Sequence, residues 1–328
     1  MSRTFIVAEA GSNHNRNFDQ ALKLIDIAKD SGADAVKFQT FSSETVYNKK
    51  TPDFANYKNI NELIKNLELP REWQKSLKEY CDKLNIEFMS TPFDEAAVEE
   101  LFDLGVKRFK IAGFESTDLR FVDMVASTKL PLIISAGIGC NLDFIDKIIK
   151  TCHNRENYDL TILHCNNAYP TPQTDINLKT MQDIKNNYDV KVGLSDHTMN
   201  TLTPALAVAM GATTIEKHFT ISRQLPGPDH PFAMESNQLR EMVQNIRLTE
   251  SSLGRKEEVY TKSEENFKTA GRSIIAKKNI NKGDYFSVDN ITTKRPFMEG
   301  NIHASKWFEV VGQISDKEYE KDDFINGK

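Results

Sequence analysis

The sequence predicts a (β/α)8 barrel followed by a small β-rich module. Strand-length apolar runs alternate with helix-period segments over about 250 residues, which suits a barrel better than a doubly wound sheet. Past Gly271 the pattern changes to short apolar pieces broken by turns such as Lys282-Gly-Asp and Arg295-Pro. Two histidines, His197 and His218, each close an apolar run, with a helix-like stretch (Leu202 to Met210) between them. That order makes them ends of neighbouring parallel strands, where two imidazoles share one cleft and suit a divalent metal.

The expected strands are Thr4–Ala10, Ala35–Thr40, Glu87–Thr91, Arg108–Ala112, Leu132–Ala136, Thr161–Asn166, Lys191–Ser195 and Thr213–Phe219. The first helix shows the logic of the others. Asn17 caps it, Gln20 sits at the third position, and Ala21, Leu24, Ile25 and Ala28 recur on one face until Gly32 ends it. An insertion from about Ser42 to Leu69 follows the second strand and reads as part of a lid, with Asn48-Lys-Lys and Tyr57-Lys58 at its surface. These runs divide the chain into a barrel (1–254), a polar linker (255–270) and a small module (271–328), in which Ser273–Ala276 and Phe286–Val288 are the strand-like pieces.

Composition narrows the function. A net charge of −5 argues against nucleic acid or an acidic membrane as partner, so an anionic substrate needs a locally basic pocket. No apolar run reaches ~18 residues, so no membrane span is expected, and no signal peptide precedes the first strand. Four cysteines without paired spacing (Cys81, Cys140, Cys152, Cys165) fit a reducing cytoplasm, and Cys165 reads as strand packing.

An active site in this architecture lies at the C-terminal strand ends. Those ends bring Glu9 with Asn13-His14, Lys37 and Gln39, Ser90-Thr91, Lys110, Ser135, Asn166-Asn167 with Tyr169, Ser195-Asp196-His197 and Glu216-Lys217-His218. Lysines, hydroxyls and amides converging on one rim suit an oxyanion such as phosphate. Lys37 or Lys217 as a Schiff-base amine is the metal-free alternative. Leu225–Pro231 is a proline-stiffened loop that presents Asp229, beside which His230 reads as a loop histidine.

The motifs Ile6-Val-Ala-Glu-Ala-Gly-Ser-Asn-His, Val36-Lys-Phe-Gln-Thr, Ser90-Thr-Pro-Phe-Asp, Phe109-Lys-Ile, Tyr169-Pro-Thr-Pro, Gly193-Leu-Ser-Asp-His-Thr, Glu216-Lys-His-Phe-Thr and Gly227-Pro-Asp-His resemble the sialic acid synthase family. That family includes N-acetylneuraminate, legionaminate and pseudaminate synthases and spore-coat polysaccharide proteins. The resemblance covers essentially the whole chain. It implies that the C-terminal segment is similar to the family's antifreeze-like (SAF, β-clip) domain. It also implies condensation of phosphoenolpyruvate with an N-acetylated amino sugar, N-acetylmannosamine or a 2,4-diacetamido-trideoxyhexose, to a nine-carbon nonulosonate.

The resemblance carries roles over to this chain residue by residue. His197 and His218 hold a divalent metal, manganese first, with magnesium or cobalt as the other candidates. Lys37, Thr91, Lys110, Ser135, Asn167 and Ser195 contact phosphoenolpyruvate; Gln39, Tyr169, Glu216 and Asp229 contact the sugar. Glu216 or a metal-bound water handles protons, and the sequence does not choose. A domain-swapped homodimer is implied, with Arg295 reaching the partner's sugar. This chain departs from the family pattern at Gly113, where many members have serine, at Asn15, where some have glutamate, and in a longer turn over 297–302. The competing readings are a 3-deoxy-sugar-phosphate synthase, which needs a second basic cluster, and a non-catalytic carbohydrate-binding barrel.

Overall fold

The computed structural model describes residues 3–53, 59–254 and 261–327. Two compact units divide the chain, Met1–Gly254 and Arg255–Lys328. In the first, eight parallel strands follow the order β3-β2-β1-β8-β7-β6-β5-β4, and β3 packs beside β4 to bring the sheet round to a barrel. They are β1 (Phe5–Gly11), β2 (Ala35–Thr40), β3 (Glu87–Pro92), β4 (Phe109–Ile111), β5 (Leu132–Ala136), β6 (Leu160–Cys165), β7 (Lys191–Asp196) and β8 (Thr214–His218).

The barrel helices form the outer layer by burying apolar stripes on the sheet. In α1 (Phe18–Asp30) Asn17 accepts from the Gln20 amide at 2.9 Å, and Ala21, Leu24, Ile25 and Ala28 are all buried. Gly32, at φ 84°, then turns the chain toward β2 in a conformation that only glycine adopts without strain. Leu24→Ala should destabilise the barrel by about 3 kcal/mol, since the packed stripe cannot collapse onto the void. A urea midpoint unchanged from wild type would refute that packing.

The expected lid is partly helical: α2 (Ser43–Val46) and α3 (Ile60–Lys65) lie within it, and Ile60, Leu67 and Leu69 are buried. Tyr57 and Lys58 fall outside the described residues. The remaining barrel helices are α4 (Trp73–Leu84), α5 (Glu95–Asp103), α6 (Leu119–Ser127), α7 (Leu142–Asn154), α8 (Lys179–Asn187), α9 (Leu202–Ala209) and α10 (Ser236–Ser252). No helix among the described residues is long and apolar enough to cross a membrane.

In the second unit, antiparallel β9 (Ser273–Ala276) and β10 (Ile291–Lys294) cover a core of Ile274, Ile280, Phe286, Ile291, Val310, Tyr319 and Ile325. One expectation needs correction here. Phe286–Val288 is not a strand: Phe286 is a core side chain, and pairing is limited to one Tyr285–Ile314 bridge. In so small a module, burying a single aromatic satisfies the apolar run without a ladder. The polar segment expected as a linker carries an exposed 3-10 helix over Lys262–Ala270, started by a capping box between Thr261 and Glu264. Residues 255–260 lie outside the described residues.

Candidate active site

Strand side chains alternate between faces, so every second residue enters the barrel. Val7, Ala35, Met89, Ile133 and Leu163 form an apolar layer inside it. Gly193 belongs to that level, where a Cβ would stand 2.6 Å from Leu163 Cδ2 and 2.2 Å from the Thr214 carbonyl oxygen. Two residues further along each strand come Glu9, Lys37, Thr91, Ser135, Cys165, Ser195 and Glu216. Two beyond those come Gln39, His197 and His218. The site is thus a polar storey on an apolar floor, at the C-terminal mouth.

The polar storey is a closed set of ion pairs and hydrogen bonds. Lys37 Nζ lies 2.7 Å from Glu9 Oε2 and 3.7 Å from Glu216 Oε2, and it donates to Thr91 Oγ1 at 2.8 Å. Lys110 Nζ lies 3.6 Å from Glu216 Oε1 and donates to Ser135 Oγ at 2.8 Å. Ser195 Oγ donates to Glu216 Oε1 at 3.1 Å, and Gln39 Nε2 to Glu9 Oε1 at 2.8 Å. Burial disfavours the Glu216 carboxylate, but Lys110 and Lys37 overcome it and hold its pKa down at about 2. Glu9 is pushed up to about 7 by burial, with Lys37 opposing and Glu216 reinforcing the rise. Cys165 is pushed up to about 11, mainly by burial, so it stays an inert thiol.

Above this storey stand the imidazoles, with ring centroids 5.5 Å apart. Burial holds both pKa values down at about 3, helped by His218 at His197 and by Lys37 at His218. Both rings are therefore neutral near pH 7, as metal ligation requires. His197 Nδ1 lies 2.6 Å from the Asn166 carbonyl, which turns Nε2 toward the cleft, while His218 Nδ1 is buried without a hydrogen-bond partner. Tyr169 packs on His197 at 4.1 Å between ring centroids, and Phe232 on His218 at 5.2 Å.

Asn167 is half-buried and accepts from the Ile138 amide at 2.7 Å. Its carboxamide fills the space left open by two glycines: a Cβ would meet it at 2.9 Å from Gly113 and at 2.0 Å from Gly137. Serine at 113 would therefore push Asn167 aside. Asp229 accepts from Ser12 Oγ at 3.0 Å, and burial raises its pKa. Arg295 is exposed at the end of β10 in the smaller unit.

Three readings change. Lys217 does not reach the cleft: it is buried against Asp196 at 2.6 Å, on the opposite face of β8 from Glu216 and His218, which removes it as a Schiff-base amine. For the same reason Asp196 does not face the imidazoles. His230 is no loose loop residue; it is fully buried, with Nδ1 2.6 Å from Thr220 Oγ1 and Nε2 3.2 Å from Asn15 Oδ1. Glu115 had no role in the sequence reading. Its Oε2 is buried without a hydrogen-bond partner, and burial lifts its pKa to about 7. Its position five residues past Lys110, beyond the strand end, is the one signal that could have flagged it.

A barrel carrying buried lysine–carboxylate pairs and two adjacent imidazoles at its C-terminal mouth belongs to the class of (β/α)8 enzymes. Residues 24–258 match the NeuB family model. The chain belongs to the NeuB family, and it is an enzyme of the sialic acid synthase type. The N,N'-diacetyllegionaminic acid synthase of Campylobacter jejuni is 39% identical over 335 residues, covering 99% of each chain. The pseudaminic acid synthase of Helicobacter pylori is 36% identical, over 95% of this chain and 93% of that protein. The crystal structure of N-acetylneuraminic acid (sialic acid) synthetase from Leptospira borgpetersenii aligns at TM-score 0.73 and 33% identity, over 81% of this chain and 90% of that one.

Proposed function

We propose that the enzyme condenses phosphoenolpyruvate with an N-acetylated amino sugar, giving a nine-carbon nonulosonate and phosphate, with a divalent metal at His197 and His218. The carrying observation is the polar storey: Lys37 and Lys110, flanked by Thr91, Ser135 and Ser195, directly beneath two neutral imidazoles. Two cations and three hydroxyls match an enol ester bearing a carboxylate and a phosphate. Asn167 adds an amide to that set, while Gln39, Tyr169 and Asp229 line the acceptor side and Glu216, against Lys37 and Lys110, stands at the boundary between the two substrates.

The residues present fit a metal. Both imidazoles are neutral, and one has a buried nitrogen that nothing else engages. Among the described residues no group of three His, Cys, Asp or Glu converges on one point, so His197 and His218 are the residues that would hold the ion, with room left for oxygens of substrate or water. When bound, a divalent ion, manganese first and magnesium or cobalt otherwise, supplies Lewis acidity toward the acceptor's aldehyde oxygen.

Carbon 3 of phosphoenolpyruvate attacks the open-chain aldehyde carbon, forming the new carbon–carbon bond as the carbonyl π pair moves to the aldehyde oxygen, which takes up a proton and becomes a hydroxyl. Positive charge develops at carbon 2, beside the Glu216 carboxylate, which two lysines keep ionised and which therefore acts as a fixed anion. Water adds at carbon 2, and cleavage of the bond between that carbon and the phosphate oxygen leaves a ketone. Lys37 and Lys110 hold the departing phosphate. Glu9, with its pKa near 7, is better matched than Glu216 to accept the water's proton.

Phosphate release, screened over N-acetylmannosamine, 2,4-diacetamido-trideoxyhexoses and unacetylated sugars, tests this. We expect release that requires an acetamido acceptor, stops on chelation and returns with manganese. No release with any acceptor would overturn the condensation. Full activity after thorough metal removal would overturn the metal alone.

The working form is a domain-swapped homodimer in the cytoplasm, a setting supported by four free cysteines. If Arg295 acts in trans, mixing inactive Arg295→Ala and His197→Ala proteins should restore about a quarter of wild-type activity after full subunit exchange, since half the dimers are mixed and each has one intact site. No recovery despite demonstrated exchange would rule the swap out.

A further inference from the structure

The two imidazoles sit on adjacent strands, so their separation is set by how the ends of β7 and β8 are held together. In the β7–β8 ladder Asp196 lies opposite Lys217, and each immediately precedes a histidine. Side chains alternate, so the Asp196–Lys217 pair lies on the outer face while both imidazoles point into the mouth. Lys217 Nζ is 2.6 Å from Asp196 Oδ2, and neither side chain is more than 1% exposed.

The same ammonium also donates to the Thr198 carbonyl. Asp196 in turn accepts from the Thr198 amide at 3.0 Å and from its hydroxyl at 3.1 Å. One lysine on the His218 strand thus holds the residues on both sides of His197, the Asp196 carboxylate before it and the Thr198 carbonyl after it.

We propose that Asp196 and Lys217 are positioning residues that set the spacing of the imidazole pair and, through it, its affinity for a divalent cation. The inference rests on the metal reading above. A buried ion pair adds little net stability over apolar side chains of similar volume, so stability alone does not explain one between sheet and helices. What it provides is direction: it admits one register of the two strand ends and closes the turn after His197. His197 has a further anchor at the Asn166 carbonyl, whereas the free Nδ1 of His218 leaves its ring held by packing and by its strand.

The test uses the full chain and Mn2+ itself, followed by the electron paramagnetic resonance signal of the free ion. The double variant Asp196→Asn/Lys217→Met removes both charges and leaves no lone buried ion. We expect it to fold, by circular dichroism, and to bind Mn2+ about 10- to 100-fold more weakly than wild type. Its affinity for phosphoenolpyruvate, measured by calorimetry without metal, should stay unchanged, because Lys37 and Lys110 lie on the inner face. A general loosening of the barrel would move both constants.

A folded double variant with wild-type Mn2+ affinity overturns the proposal, as does a parallel loss of both affinities. Should the double variant fail to fold, Lys217→Arg replaces it. That change keeps the charge but alters the reach, and weaker Mn2+ binding at constant phosphoenolpyruvate affinity is then expected, with unchanged Mn2+ binding overturning the proposal. Wild-type protein that binds no Mn2+ would instead remove the metal reading, and this inference with it.

Discussion

His197→Ala and His218→Ala should each lower turnover by about a thousandfold, the order seen when one group that stabilises developing negative charge is removed. In the metal site proposed above each imidazole would supply half of the protein's donor set, and no third His, Cys, Asp or Glu converges there among the described residues. Losing either ring leaves a single ligand. Both variants should fold normally, because the rings lie at the mouth above the apolar layer and neither forms an ion pair. Electron paramagnetic resonance should find Mn2+ binding lost in step with phosphate release, while phosphoenolpyruvate still binds. A near-wild-type rate in either variant would end the metal assignment.

The second large effect concerns Glu216. Its carboxylate lies 3.6 Å from Lys110 and 3.7 Å from Lys37, so Glu216→Gln leaves Lys37 paired with Glu9 alone and takes from Lys110 its ion-pair partner. Breaking a buried pair from one side costs about 3–5 kcal/mol, and a fall in melting temperature of about 10 °C follows for a barrel of this size. Turnover should fall at least a hundredfold as the fixed anion proposed beside carbon 2 disappears. Phosphoenolpyruvate affinity should move the other way, because the ligand's anions now supply the missing negative charge. A thermal-shift assay would show a larger stabilisation by phosphoenolpyruvate in the variant than in wild type. An unchanged melting temperature, or a smaller ligand shift, would refute the electrostatic account.

Much of the site was readable in the chain because its signals are local. A cap at Asn17, a stripe from Ala21 to Ala28 and a glycine at 32 define one helix without reference to anything distant. Thr91, Ser195 and His197 close apolar runs while Lys37 and Ser135 sit within two others, and barrel topology sends the C-terminal ends of those runs to one mouth. Lys217 fails the same reasoning for a definite cause. In Glu216-Lys217-His218 alternate residues face opposite ways, and only the fold shows which parity enters the barrel. His230 fails for another: its partners Thr220 and Asn15 belong to other segments, Asn15 to the far end of the barrel sequence. Phe286 sits in a module too small for its apolar run to need a second strand.

Periodicity and strand ends are properties of neighbouring residues, so the eight strands, the helical stripe and the pair of histidines follow from the amino-acid order alone. The tertiary structure alone decides charge. Whether Glu216 stays ionised while Glu9 climbs toward neutrality, or whether Lys217 serves substrate or backbone, depends on burial and on separations of a few ångströms between residues far apart in the chain. Coulomb energy and desolvation act through space, and a linear order does not record those distances.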